Sequence, residues 1–190
     1  MPSFKLGSTY PWTHYFLEKE LPSLSSYNRD AHDLLCAFTG LNAKRNRAAK
    51  AVALKFGIEP VIDVQPIGIY GYTPPTGQII QLGKTFLSEF ESAMATLKNG
   101  AEPHIPKTYT PTILESNLFM LLEATILHEL VHYFRRKFLD DAKLNLRSNS
   151  GRGREEAVAQ QFEKKVYGMV CDVQNLSLSK HLPNTLALSR

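Results

Sequence analysis

In the first third of the chain, apolar side chains recur at helical spacing. Tyr10 to Glu20 predicts a short helix stopped before Pro22. Tyr27 to Phe38, with Leu34, Leu35 and Phe38 on one side, predicts a second, ended by Gly40. Leu41 to Phe56 predicts a third, with Gly57 in the C′ position that glycine favours. The pattern then changes. Val61-Ile62-Asp63-Val64-Gln65 is rich in β-branched residues and bounded by Pro60 and Pro66, which predicts a strand. Gly68 to Tyr72 and Gln78 to Leu82 flank Thr73-Pro74-Pro75-Thr76-Gly77, so they predict a hairpin around a turn-rich insert.

Lys84 to Leu97 predicts a further helix ended by Asn99-Gly100, and Ala101 to Thr110, holding Pro103 and Pro106, an extended loop. Thr112-Ile113-Leu114-Glu115 matches a capping box, in which the threonine and glutamate side chains each accept from the other's backbone N–H. Nothing breaks a helix from there to about Phe138, a span of about 40 Å. Its middle, Leu118-Phe119-Met120-Leu121-Leu122, is apolar on every side, so this helix is expected to run through the core. Asp140 to Gly153 is polar and ends in Ser148-Asn149-Ser150-Gly151-Arg152-Gly153, which predicts a loop. Arg154 to about Val173 predicts a last helix, followed by a tail containing Pro183.

Composition narrows the class. A hydrophobic content of 43% in 190 residues suits one globular domain with a real core. No stretch of about 18 uninterrupted apolar residues exists, which excludes a membrane-spanning helix. The opening Met1-Pro2-Ser3-Phe4-Lys5-Leu6-Gly7 lacks the apolar core of a signal peptide, so export would need another route. Cys36 and Cys171 are far apart among apolar neighbours, and two buried reduced thiols are expected. A net charge of +4 does not imply nucleic-acid binding by itself. The basic residues Lys44, Arg45, Arg47, Lys50 and Lys55 do crowd one segment without an acid. No aromatics interleave them, so a solvated helix face is favoured over a nucleic-acid contact.

The chemistry lies in the long helix, at His128-Glu129-Leu130-Val131-His132. Residues four apart on a helix differ by about 40° in direction, so both imidazoles leave one face and can converge on one ion. Glu129 lies about 100° round from His128, beside that face, where it can take a proton from a water on the metal. Shuffling this composition would produce the pattern roughly once in a hundred chains. Two satisfied core histidines beside an incidental acid are the plainer alternative, but polar groups in an apolar helix are costly to bury.

A catalytic zinc usually takes three protein ligands and one open position. No glycine or further histidine follows His132 at short spacing, and His14, His32, His104 and His181 are each more readily surface residues. Glu155 and Glu156 stand 23 and 24 residues beyond His132. On a helical wheel Val158, Ala159, Phe162, Val166 and Met169 fall within about 60° of Glu155, while Glu156 sits at the stripe's margin. Glu155 is therefore the expected third ligand, with Glu156 the alternative or an orienter of a histidine. Plain stabilisation of a helix N-terminus would equally account for two acids there. Tyr133, Tyr167, Arg152 and Arg154 are conceivable donors to an oxyanion, and spacing selects none of them.

Ala124-Thr125-Ile126-Leu127 before the motif, Tyr133 after it, and Glu155-Glu156-Ala157 downstream resemble the zincin metallopeptidases with a glutamate ligand. More narrowly, they are similar to bacterial metallopeptidase toxin domains of polymorphic toxins and type VI secretion effectors. The likeness spans roughly residues 61 to 170, where the strands at Gly68–Tyr72 and Gln78–Leu82 also fit. It implies one zinc ion per chain on His128, His132 and Glu155 or Glu156, with Glu129 as general base. It implies an α+β fold, mostly helical, with a small β-sheet packed on the motif helix. One domain over 1–190 would then hold a helical part at 1–57, a zincin-like core at 58–175 and a tail at 176–190. The resemblance also implies an edge strand for an extended peptide, here Gln78 to Leu82. It implies a protein or cell-wall peptide substrate, export by a specialised secretion system, and an immunity protein in the producer. Two other readings stay open: a nucleic-acid or partner-binding module built on residues 41–56, and a structural zinc domain without turnover.

Overall fold

The computed structural model describes residues 6–42, 60–75, 79–100, 103, 112–139 and 149–171. The predicted helix at 41–56, with its basic residues, lies almost wholly outside them, as do His104 and His181. The N-terminal part is a string of helical turns, α1 (Leu6–Thr9) and α2 (Pro11–Tyr15), then a π turn at Phe16–Glu20 and a 3₁₀ turn at Leu21–Ser23. The last of them, α3 (Leu24–Tyr27), carries the run past Pro22, where it was expected to stop. Pro22 sits in the first two positions of the 3₁₀ turn, where a missing N–H costs little. Asn28 caps α4 (Arg29–Thr39) by accepting from the Ala31 N–H at 3.2 Å, and left-handed Gly40 ends it.

Three strands form a mixed sheet: β1 (Val61–Gln65), β2 (Gly71–Tyr72) and β3 (Ile79–Gly83), in the order β1-β3-β2. β2 and β3 make the expected hairpin, with Gly71 opposite Leu82, and β1 runs parallel to β3. This corrects the expectation for Gln78–Leu82. Ile79–Leu82 lie in the central strand, paired on both sides, because β1 runs beside it in parallel register. The edge on the hairpin side is β2.

Gly83 closes the sheet. Its N–H donates to the Tyr70 carbonyl at 2.8 Å, and a Cβ there would stand 2.1 Å from the backbone oxygen of Ile69. Main chain cannot yield as a side-chain tip can, so only glycine fits. Gly83→Ala is expected to cost about 3 kcal/mol. A urea melt shifted by less than a third of that would show that the Tyr70 turn can move away.

α5 (Lys84–Leu97) follows directly and has the predicted limits. From it the buried carboxylate of Glu91 reaches back to the first turn of α2, accepting from the N–H groups of Trp12 and Thr13 at 3.0 and 2.7 Å. α6 (Ile113–Phe138) is the predicted core helix. Its capping box is formed: Glu115 N–H donates to Thr112 Oγ1 at 3.3 Å, and Thr112 N–H to Glu115 Oε2 at 2.8 Å. Every residue from Leu121 to Leu127 is buried, because β2, β3, α4, α5 and the last helix all pack around it.

That last helix, α7 (Asn149–Tyr167), begins earlier than expected and takes in the glycine-bearing stretch read as loop. Glycine costs a helix about 1 kcal/mol each. Burial of Glu155, Ala159 and Phe162 anchors α7 on α6, and helical growth from that anchor offsets the cost. Cys36 and Cys171 are buried thiols that form no disulfide. Among the described residues no helix is long and apolar enough to cross a membrane. The architecture is α+β, mostly helical, with a small sheet against the motif helix.

Candidate metal centre

One turn apart on α6, the rings of His128 and His132 lie with centroids 4.9 Å apart. Their Nε2 atoms point at each other across 3.1 Å. The Oε2 of Glu156 completes a triangle, 3.2 Å from His132 Nε2 and 3.4 Å from His128 Nε2. These three residues are the one group among the described residues arranged to hold a metal ion. The Glu156 side chain is 49% exposed, against 13% for His128 and 8% for His132, so the triangle opens to solvent on the glutamate side.

Glu155, expected as the third ligand, takes a different place. Its carboxylate is 2% exposed and grips the Arg136 guanidinium, with Nη2 donating at 2.7 Å. It faces the far side of the His132 ring, 3.6 Å from Nδ1. The helical wheel pointed Glu155 into the helix contact correctly. The open triangle, however, lies at the margin of that contact, and the margin belongs to Glu156.

Sequence reasoning missed four residues. Glu163 bonds His128 Nδ1 with one carboxylate oxygen and accepts the Cys171 N–H at 2.6 Å with the other. It sits seven residues beyond Glu156, about 20° away on the same helix face, a spacing that the wheel could have exposed. Thr73, in the turn after β2, donates its hydroxyl to Glu129 Oε2 at 2.7 Å. Gly71 gives Glu129 its room, since a Cβ there would stand 2.7 Å from Glu129 Cγ. Arg136 joins α6 to α7 and to the turn after β2. No local pattern marks these last three.

The electrostatics follow from crowding. Burial opposes charge on His128, but hydrogen bonds to Glu156 and Glu163 and the nearby Glu129 charge outweigh it and raise its pKa to about 10. His132 is also raised, burial being overcome by Glu155 and Glu156. Bonds from His128 and His132 hold Glu156 well below the usual carboxylate range. Burial pushes Glu129 up, against the pull of both histidines and of the Thr73 bond. With neutral imidazoles, the carboxylates of Glu129, Glu155, Glu156 and Glu163 face one guanidinium. Two ring protons or one divalent cation would offset two of those negative charges.

The donor set fits such a cation. A neutral His128 that donates its Nδ1–H to Glu163 keeps a lone pair on Nε2 for the triangle. Donor separations of 3.1 to 3.4 Å bracket the roughly 3.3 Å expected between ligands of a tetrahedral zinc with 2.0–2.1 Å bonds. Among the described residues, His14 pairs with Glu18 and His32 with Asp33, so neither joins the centre. Tyr167 gives its hydroxyl to Glu123 at 2.7 Å and is engaged there.

The family model described as metallopeptidase toxin 3 matches residues 7–168. The chain belongs to this family. The match takes in the N-terminal helices, which carried no legible likeness, as well as the motif helix and α7. A metallopeptidase toxin domain implies a metal ion and a protein or peptide substrate. No curated protein and no solved structure matches the chain.

Proposed function

We propose that this metallopeptidase toxin domain is a zinc hydrolase of peptide bonds, with His128, His132 and Glu156 as ligands and Glu129 as general base. The observation that carries this reading is the near-equilateral triangle of two Nε2 atoms and one carboxylate oxygen beside a buried glutamate. His128, His132 and Glu156 would hold the zinc, which when bound would supply a Lewis acid for the scissile carbonyl and lower the pKa of water there towards 7. Glu129 takes the proton of the attacking water and returns it to the departing amine. Thr73 occupies its Oε2, so Oε1 is the oxygen available for transfer. Burial makes this carboxylate a stronger base than an exposed glutamate. Glu163 fixes the tautomer and tilt of His128.

Family membership supports a toxin delivered into a target cell by a specialised secretion system, with an immunity protein protecting its producer. The substrate class is protein or cell-wall peptide. A structural zinc site without turnover is disfavoured by the half-exposed Glu156, since structural sites are closed. Elemental analysis tests the reading first. Purified chain is expected to carry about one zinc, and a chelator is expected to abolish both the metal and growth arrest in bacterial cells. A chain that arrests growth equally well without metal would end this proposal.

Gly71→Ala is expected to leave zinc uptake intact while lowering activity about 10- to 100-fold, because the new methyl pushes Glu129 off Thr73. Zinc content and growth arrest measured on one preparation check this. Full activity in that variant would show that Glu129 can shift without consequence.

A further inference from the structure

Arg136 stands where the two halves of the site meet. It lies on α6 one turn beyond His132, with its side chain 11% exposed. Its Nε donates to Glu155 Oε1 and Oε2 at 3.0 and 3.2 Å, and its Nη2 to Oε2 at 2.7 Å. This is the two-pronged grip that a planar guanidinium makes on a carboxylate. The remaining Nη1 donates to the main-chain oxygens of Thr73 and Pro74, the latter at 2.7 Å.

Both prongs lead to the centre. Glu155 Oε2 stands 3.6 Å from His132 Nδ1, too far for a hydrogen bond. That buried nitrogen has no hydrogen-bond partner among the described residues. Metal-binding imidazoles gain orientation and basicity from an acceptor at this second nitrogen. The Thr73 main chain, held by the same guanidinium, carries the hydroxyl that fixes Glu129. Holding α7 against α6 needs none of this, because apolar side chains of similar volume pack at least as well as a buried ion pair.

We propose that Arg136 is a positioning residue: it sets Glu155 behind His132 and, with the same guanidinium, sets the Thr73–Pro74 turn behind Glu129. The inference rests on the metallopeptidase reading above. Lysine cannot replace this arginine, since its ammonium is a point charge that cannot reach the carboxylate and both carbonyls in one geometry.

The test uses the full chain with zinc alone, titrated against a chromophoric chelator, and the visible spectrum of the chain loaded with Co²⁺. Arg136→Lys and Glu155→Gln are each expected to weaken zinc binding about 10- to 100-fold and to shift the cobalt bands. The double variant is expected to bind about as weakly as either single one, because the pair acts on His132 as a unit. At saturating zinc, Arg136→Lys should still arrest growth less than the parent, whereas Glu155→Gln should recover, since it leaves the Thr73 carbonyl bond in place. Should Arg136→Lys fail to fold, Glu155→Gln decides alone by its zinc affinity and cobalt spectrum. Parent-like affinity and spectrum in the folded variants, or losses that simply add, overturn the inference while leaving the hydrolase reading intact. A parent chain that takes up no zinc overturns both.

Discussion

Replacing Glu129 by glutamine is expected to abolish growth arrest while leaving the chain folded and loaded with about one zinc. Glutamine keeps the volume of the side chain and can still accept from the Thr73 hydroxyl, so the packing between β2 and α6 survives. It cannot take a proton. Loss of a general base typically removes about 10²–10⁴-fold of rate, which corresponds to about 3–5 kcal/mol of barrier. The burial that raises the Glu129 pKa lends support: a neutral amide should suit that site at least as well as a carboxylate. Melting temperature and zinc content should match the parent. Undiminished growth arrest, with zinc bound, would show that Glu129 does not act as the base.

The second large effect separates the two neighbouring acids. Glu156→Ala is expected to lose more than about 100-fold in zinc affinity, beyond the range for residues that only support a ligand. The fold should tolerate it, because the side chain is half exposed and ordinary surface changes fall within about 0.5 kcal/mol. With zinc in excess, a 100-fold weaker site forfeits about 2.7 kcal/mol of metal-linked stability. Thermal melts with and without zinc should therefore separate widely for the parent and converge for Glu156→Ala. Glu155→Ala should instead lower the melt of the metal-free chain itself, while keeping more of the zinc-dependent separation than Glu156→Ala does. Removing Glu155 strands the buried Arg136 charge, at a cost of about 3–5 kcal/mol to the fold itself. If Glu156→Ala keeps parental zinc affinity, the third ligand has been misassigned.

Those two acids also show where reading a sequence stops. A capping box, a β-branched run between prolines, and a helix bounded by Asn99-Gly100 depend on neighbours a few residues away. So the starts and ends of β1, α5 and α6 were legible. The convergence of His128 and His132 was legible for the same reason, since one helical turn sets it. The start of α7 was not, because packing on α6 overrode the local signal of two glycines. Nor was the central place of β3, which depends on β1 running beside it in parallel.

The centre divides along the same line. By itself the sequence determined a mostly helical chain with two imidazoles and a glutamate on one core helix, because helical periodicity is a property of adjacent residues. Only the tertiary structure decided that Glu156 rather than Glu155 faces the Nε2 atoms of both imidazoles, and that Glu163, Thr73, Gly71 and Arg136 stand around that group. Which side of a second helix faces the first depends on how α7 lies across α6, and a rotation of one residue would exchange the half-exposed carboxylate of the triangle for one held in a buried ion pair. That angle is fixed by the summed packing of α4, α6 and α7, which no short stretch of residues encodes.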